Sequence, residues 1–249
     1  MTSRPHPEII AHRGFSARAP ENTLASLEAA VETGVESIEY DLQTAACGTP
    51  VLFHDSMLGR TTNGVGPLKR RPLAHLKALD AGSWFGKEFA GERILTQEEA
   101  LVNLRGRVLR VYQDIKGYRE IEDLDRMVAN TRRAEMAGSS VLISSDWVVM
   151  NRLRKTAPEM IRAYLVEHID GFAEALDRAA VDDGALLNVE IGVALSNPGR
   201  IDEALEAGVE VMAWTVDEEE QASEAMSLGI TRLTTNEVER LLTWRFGLI

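Results

Sequence analysis

The chain has 249 residues and a formal net charge of −12, from 39 Asp and Glu against 27 Lys and Arg. Without a basic tract, that balance excludes a nucleic-acid or anionic-membrane surface as the main partner, because phosphate backbones are held by clustered Lys and Arg; phosphate chemistry has to be local. An apolar fraction of 45% excludes disorder and the lone Cys47 excludes a disulfide scaffold, and with no apolar leader and no run near the ~18 residues of a membrane span a soluble cytoplasmic protein is expected.

Along the chain, short β-branched or apolar runs alternate with longer stretches of helical period, the pattern of repeated βα units. A first strand is predicted over Glu8–His12, then an amphipathic stretch over Asn22–Thr33, with Asn22 placed to cap it and Gly34 just past its end. The second strand, Ser37–Leu42, turns back through Cys47-Gly48 into a short extra strand, Val51–His54. Cys47 is read as a turn residue, not a nucleophile, since no local motif activates it. From Ser56 to roughly Leu95 the period breaks in an excess of about 40 residues rich in Gly, Arg and Trp. Further strands are predicted over Leu109–Ile115, Val141–Ser145, Ile161–Glu167, Ala185–Ile191, Val209–Val216 and Ile230–Thr235. Between them, helical stretches fall at Arg119–Ala137, Trp147–Thr156, Gly171–Ala180, Pro198–Ala207 and Glu218–Ser227. Gly138, Gly208 and Gly229 sit past helix ends, Pro198 suits a first helical turn, and Asp217 with Glu220 has the spacing of a capping box. Eight βα units in about 250 residues make one (β/α)8 TIM barrel, with residues 1–249 as a single domain. The insertion at about 56–95, after the second strand, falls on the C-terminal face where barrel active sites are built. It is read as a lid or substrate wall.

In such a barrel the informative residues are polar ones at the C-terminal ends of strands. The first strand ends in His12-Arg13-Gly14, and the second carries Glu39-Tyr40-Asp41, two carboxylates at i and i+2 on one face, about 7 Å apart. Like charges in a buried mouth repel unless a cation or a proton lies between them, so a hard divalent cation, Mg²⁺ or Ca²⁺, is the economical reading. The third strand ends in Asp114-Ile115-Lys116, which points a carboxylate and an ammonium into the same mouth, and His54-Asp55 closes the extra strand. Arg13 and Lys116 supply positive charge for an anionic substrate, and two histidines titrating near neutral pH supply an acid and a base. This composition points to metal-assisted cleavage of a phosphate ester. Each group also has a plainer reading: a solvated strand face for Glu39 and Asp41, a structural histidine for His12, a turn for Arg13-Gly14, an ion pair for Asp114 and Lys116. His6, His75 and His168 have no partnered carboxylate pattern and are given no role.

The strings His12-Arg13-Gly14, Pro20-Glu21-Asn22-Thr23, Glu39-Tyr40-Asp41, Pro50-Val51-Leu52-Phe53-His54-Asp55 and Arg60-Thr61-Thr62 resemble the glycerophosphodiester phosphodiesterase family. The resemblance continues in Leu79–Phe85, Asp114-Ile115-Lys116, Ala213-Trp214-Thr215-Val216 and Thr234-Thr235-Asn236, and spans essentially the whole chain. It implies a (β/α)8 barrel hydrolysing a glycerophosphodiester to glycerol phosphate and an alcohol with a divalent cation, in lipid and glycerol metabolism. Carried over residue by residue, it makes His12 and His54 the acid–base pair and Glu39, Asp41 and Asp114 the metal ligands. Arg13 matches the phosphate-contacting arginine, Lys116 the lysine near the same group, Trp214 an aromatic at the pocket wall, and Glu21 a partner that orients Arg13 or His12. Either histidine can take either role, and the nucleophile is water or the substrate's own neighbouring glycerol hydroxyl.

The chain departs from that family at several points. Asp114 stands where glutamate is common, which shortens the carboxylate's reach by about 1.3–1.5 Å. Ala45-Ala46-Cys47-Gly48 replaces a Thr-x-Asp-Gly turn, Asp146 follows Ser144-Ser145 near the expected mouth, and Asp217 replaces a common asparagine. Added negative charge at the mouth favours a cationic head group such as choline or ethanolamine. Three alternatives stand beside this reading. One is a related phosphodiesterase acting on a lysophospholipid or sphingomyelin-like lipid, as in sphingomyelinase D; the chain offers no interfacial helix for stable membrane association. The others are a non-catalytic phosphodiester-binding barrel and an unrelated barrel enzyme. The sequence sets no oligomeric state.

Overall fold

The computed structural model describes residues 6–247; residues 1–5, the start of the segment read for a leader, lie outside them. Nine strands form one sheet: β1 (Glu8–Ala11), β2 (Ser37–Thr44), β3 (Pro50–Leu52), β4 (Arg110–Ile115), β5 (Ser140–Ser144), β6 (Ile161–Val166), β7 (Leu186–Glu190), β8 (Glu210–Trp214) and β9 (Arg232–Thr235). Eight of them run parallel in the order β1-β9-β8-β7-β6-β5-β4-β2, and β1 pairs with β2 to close a barrel; β3 folds back antiparallel on β2. All eight predicted barrel strands are present, with no boundary displaced by more than two residues.

Among the described residues ten α-helices accompany them: α1 (Leu24–Glu32), α2 (Leu73–Ala78), α3 (Gln97–Leu104), α4 (Asp123–Arg133), α5 (Trp147–Thr156), α6 (Phe172–Ala179), α7 (Ile191–Ser196), α8 (Pro198–Glu206), α9 (Glu219–Ser227) and α10 (Val238–Phe246). Of these, α2, α3, α7 and α10 lie outside the helices the periodicity predicts; α2 and α7 have only six residues each, too short for a helical period to register. Pro198 opens α8, and Gly34, Gly208 and Gly229 follow their helices at positive φ.

Three helix-end assignments are corrected. Thr23, not Asn22, caps α1, its hydroxyl accepting the Ser26 N–H in a reciprocal capping box. Asn22 sits at φ 60°, a conformation asparagine tolerates, and turns its amide toward Asp41 instead. Past α4 it is Glu135 that takes the left-handed turn, while Gly138 lies in a 3₁₀ turn over Ala137–Ser139. Asp217 forms no capping box with Glu220, since α9 begins at Glu219 and Asp217 is engaged across the chain with Thr235 and Asn236.

Residues two apart on each strand stack into layers inside the barrel. At the N-terminal end Glu8 accepts hydrogen bonds from Ser37, Arg110 and Tyr112, and Arg232 pairs with Glu210, so the floor is a closed polar plug. Above it Ile10, Tyr112, Val141, Ile143, Ala163, Leu165, Leu186 and Met212 form a buried apolar cluster. The next residues up the same strands are His12, Asp114 and Asn188, at the mouth. The insertion packs on a small apolar cluster of its own that includes Val51, Phe53, Leu58, Leu68, Leu76, Leu79 and Ile94. Among the described residues no helix is long and apolar enough to cross a membrane.

Candidate active site

His12 and Arg13 follow β1, Glu39 and Asp41 lie on β2, Asp114 ends β4 with Lys116 just beyond, and Trp214 ends β8. The structure gathers His12, Arg13, Glu39, Asp114, Lys116 and Trp214 around one cavity, with Asn188 and Thr234 beside them. His54, after β3, and Glu21, before α1, line a neighbouring cavity with Thr61 of the insertion.

The turn out of β1 is built for close approach. Arg13 adopts φ 57° and Gly14 φ 77°, and a Cβ on Gly14 would lie 2.5 Å from the Ser26 backbone. This turn delivers the Arg13 N–H to Glu39 Oε2 at 2.9 Å and the Arg13 Nε to within 3.1 Å of Asp41 Oδ2. Glu21 accepts from the Arg13 guanidinium at 2.8 Å. Lys116 Nζ lies 2.8 Å from Asp114 Oδ2 and 3.9 Å from Asp41 Oδ1. Glu39, Asp41 and Asp114 each present an oxygen within 4.8 Å of the others, all buried. The shorter Asp114 therefore still reaches the cluster, and its Oδ1 has no hydrogen-bond partner.

These charges sort themselves by partner. Burial, with Asp41 and Asp114 alongside, pushes the Glu39 carboxyl well above the usual carboxylate range. Burial pushes Asp41 the same way, but Arg13 and Lys116 outweigh it and hold Asp41 below its ordinary value. Asp114 is raised by burial in spite of Lys116. Three buried carboxylates against two cations leave an excess of negative charge that only a further cation or a proton relieves.

Both histidines are oriented through Nδ1. His12 Nδ1 lies 2.8 Å from Asn236 Oδ1. The Asn236 amide N–H donates to Asp217 Oδ2 at 2.8 Å, and its backbone N–H donates to Asp217 Oδ1 at 2.8 Å. A carboxylate only accepts, so the Asn236 NH₂ faces Asp217 and its carbonyl faces His12. His12 then donates from Nδ1 and leaves the Nε2 lone pair toward the mouth, 4.0 Å from Glu39. Burial, followed by the neighbouring Arg13, pushes the His12 imidazole down to about 4. His54 Nδ1 lies 2.7 Å from Asp55 Oδ1, and Arg60 in the insertion bridges Asp55 and Glu21 with four hydrogen bonds of 2.7–3.0 Å. The Arg60 contact depresses Asp55 to about 2.

Asn22, Arg60, Asn188, Asp217, Thr234 and Asn236 received no site role in the sequence reading. Asn22, Arg60, Thr234 and Asn236 sit inside strings that carry the family resemblance, the signal from which they were accessible; Asn188 and Asp217 do not. Asp146 is not among the residues lining either cavity; it caps α5 by accepting the Val148 N–H and accepts the Tyr118 hydroxyl at 3.2 Å.

A parallel eight-stranded barrel with two oriented histidines, a buried carboxylate cluster and paired cations at its C-terminal mouth defines a barrel hydrolase of phosphate esters. Residues 12–240 match the glycerophosphoryl diester phosphodiesterase family, and the chain belongs to it. It is 30% identical over 238 residues to the glycerophosphodiester phosphodiesterase of Caldanaerobacter subterraneus, covering 94% of this chain and 96% of that one. Among solved structures it resembles an Oleispira antarctica phosphodiesterase in complex with the product sn-glycerol-3-phosphate, at TM-score 0.84 and 29% identity over 96% of each chain. It also resembles a glycerophosphodiester phosphodiesterase from Agrobacterium tumefaciens, at TM-score 0.77 and 27% identity over 93% of this chain and 98% of that one.

Proposed function

We propose that the enzyme hydrolyses glycerophosphodiesters to glycerol phosphate and an alcohol, with His12 and His54 as its acid–base pair. The observation that carries this reading is the fixing of both rings at Nδ1, by Asn236 and by Asp55, which leaves both Nε2 atoms for proton transfer at the mouth. One histidine takes the proton of the nucleophile as its oxygen bonds to phosphorus; the other gives a proton to the alcohol oxygen as its bond to phosphorus breaks. Arg13 and Lys116 hold the non-bridging oxygens, Glu21 steadies Arg13, and Trp214 forms a pocket wall.

Glu39, Asp41 and Asp114 fit a divalent cation, Mg²⁺ or Ca²⁺: their donors are hard oxygens only, they converge within 4.8 Å, and the buried Asp114 Oδ1 has no protein partner. When bound, such an ion supplies Lewis-acid stabilisation of charge on the phosphoryl group. Arg60, anchored on Asp55 and Glu21, supports a reading of the insertion as a wall of the site, within one catalytic domain. Cys47 is exposed and unpaired, which supports a reducing, cytoplasmic setting.

The test is to incubate the purified chain with glycerophosphocholine, glycerophosphoethanolamine, glycerophosphoinositol and a lysophospholipid, with and without EDTA, and to identify the products. Release of glycerol phosphate, lost with EDTA, is expected, and His12→Ala or His54→Ala should each lower kcat by about 10²- to 10⁴-fold. Unchanged turnover in both variants refutes the histidine assignment.

A further inference from the structure

Arg60 joins the insertion to two separate parts of the site through one guanidinium. Its Nε and Nη2 donate to Asp55 Oδ2 and Oδ1 at 2.7 and 3.0 Å, and its Nη1 and Nη2 donate to Glu21 Oε2 and Oε1 at 2.7 and 2.8 Å. Each carboxylate is therefore gripped by both of its oxygens, on adjacent edges of the same plane. The two oxygens that share Nη2 each have a second partner: Asp55 Oδ1 lies 2.7 Å from His54 Nδ1, and Glu21 Oε1 accepts from Arg13 Nη1 at 2.8 Å. Arg60 Nη2 thus stands one carboxylate away from the His54 ring on one side and from the Arg13 guanidinium on the other.

A surface ion pair usually contributes little, because long side chains give up rotational freedom to form it. Two features set Arg60 apart. Its backbone is mounted firmly: Thr61 and Thr62 are buried, the Thr62 hydroxyl donates to the Leu58 carbonyl at 2.7 Å, and the Leu58 N–H donates to the Gly66 carbonyl at 3.0 Å. Its acceptors are also two carboxylates that share one nitrogen, and they repel each other when that nitrogen is gone. A carboxylate only accepts, so an Asp55 held in place takes the hydrogen of His54 Nδ1 and leaves the Nε2 lone pair free. Resting on the hydrolytic reading above, we propose that Arg60 is a positioning residue of the reaction: it holds Asp55 against His54 and Glu21 against Arg13, so that the insertion sets the proton-transfer geometry and the phosphate-binding geometry together. A lysine supplies a point charge there and cannot fork onto both carboxylates.

Arg60→Lys keeps the charge and loses the fork, which makes it the decisive variant. Its kcat for glycerophosphoethanolamine should fall about 10- to 100-fold, and calorimetric titration should show inorganic phosphate bound about tenfold more weakly. Nitrogen-15 spectra should show an Nε2–H form of His54 beside the Nδ1–H form of the wild type. A residue that only stabilised the loop would lower the folded fraction, which changes neither the affinity of the folded molecules nor the tautomer of their His54. Wild-type kcat in Arg60→Lys, or a fall in kcat with either the phosphate affinity or the His54 signal unaltered, overturns the proposal. In Arg60→Ala, guanidinium ion added at millimolar concentration should recover phosphate affinity and the Nδ1–H form, and ammonium ion at the same concentration should not. Recovery with both ions, or with neither, overturns the fork as the cause. The titration and the spectra need no turnover, so a chain that cleaves none of the diesters defeats the hydrolytic reading alone and leaves Arg60 still to be judged by these two measurements.

Discussion

Asp217 acts on His12 through Asn236, so Asp217→Asn should change the enzyme without touching its mouth. His12 is 13% exposed in its side chain, and its Nδ1 has one acceptor, the Asn236 carbonyl at 2.8 Å. With that carbonyl facing it, the tautomer carrying hydrogen on Nε2 sets lone pair against lone pair, and the missing hydrogen bond costs about 1–3 kcal/mol, a preference of roughly 5- to 150-fold for Nδ1–H. The preference lasts only while the amide cannot rotate; the Asp217 carboxylate opposes rotation by accepting from both Asn236 nitrogens, and the Ser16 hydroxyl, which donates to the same carbonyl at 2.8 Å, adds only a group that can turn to accept from a flipped amide. An asparagine at 217 can present either an oxygen or an NH₂, the Asn236 amide is free to flip, and His12 shifts toward the tautomer whose Nε2 cannot take a proton. kcat/KM should fall about 10- to 100-fold, measured as glycerol 3-phosphate released from glycerophosphoethanolamine. Nitrogen-15 spectra of the imidazole should show the Nε2–H form appearing. The reasoning is refuted if the variant keeps wild-type kcat/KM, or loses activity while the spectra still report only Nδ1–H.

The carboxylate cluster gives a second prediction: Glu39→Gln should abolish rescue of chelator-treated enzyme by Mg²⁺ or Ca²⁺, and the rise in Tm on adding either ion to wild type should be absent from the variant. A third concerns acid stability, read as Tm against pH. Arg60 holds Asp55 near 2 and, against its burial, lowers Glu21, so both carboxylates titrate below their unfolded values. The contribution of both is therefore complete above the ordinary carboxylate range and is lost as pH falls below it, that of Asp55 as pH falls through about 2. Arg60→Met should lower Tm at neutral pH and show a shallower loss between about pH 4 and pH 2; parallel curves would contradict the linkage. A fourth is structural: Gly14→Ala places a Cβ 2.5 Å from the Ser26 backbone at φ 77°, and should cost about 2–4 kcal/mol by denaturant titration. A loss below about 1 kcal/mol would mean the β1 turn relaxes more freely than its contacts indicate.

The barrel was legible because its strands obey a local rule. Runs such as Val141–Ser144 and Leu186–Glu190 are bounded by turn residues and separated by helical periods, and each needs only its own neighbours to be read. The same holds for Glu39 and Asp41, whose i, i+2 spacing alone puts them on one face. The helices α2 and α7 were hidden because one and a half turns carry no period. Asn22 was misread for a different reason: it belongs to a residue class that both caps helices and tolerates the left-handed region, and only the position of Asp41 decides between the two.

The residue that aims His12 is hidden from any local pattern for a topological reason. His12 and Asn236 are 224 positions apart and become neighbours because β1 pairs with β9 at Ala11 and Thr235, one residue before each. That register follows from closure of the barrel, which no local pattern encodes. Charge behaves the same way. A net −12 argues against polyanions as partners, yet it averages over a chain whose residues 56–95 hold seven Lys and Arg against three Asp and Glu. This basic stretch reaches the mouth through Arg60, while Glu39, Asp41 and Asp114 are buried within it. The net charge of the chain is therefore no measure of the charge at the site, where Arg13, Lys116 and Arg60 are each paired with a carboxylate.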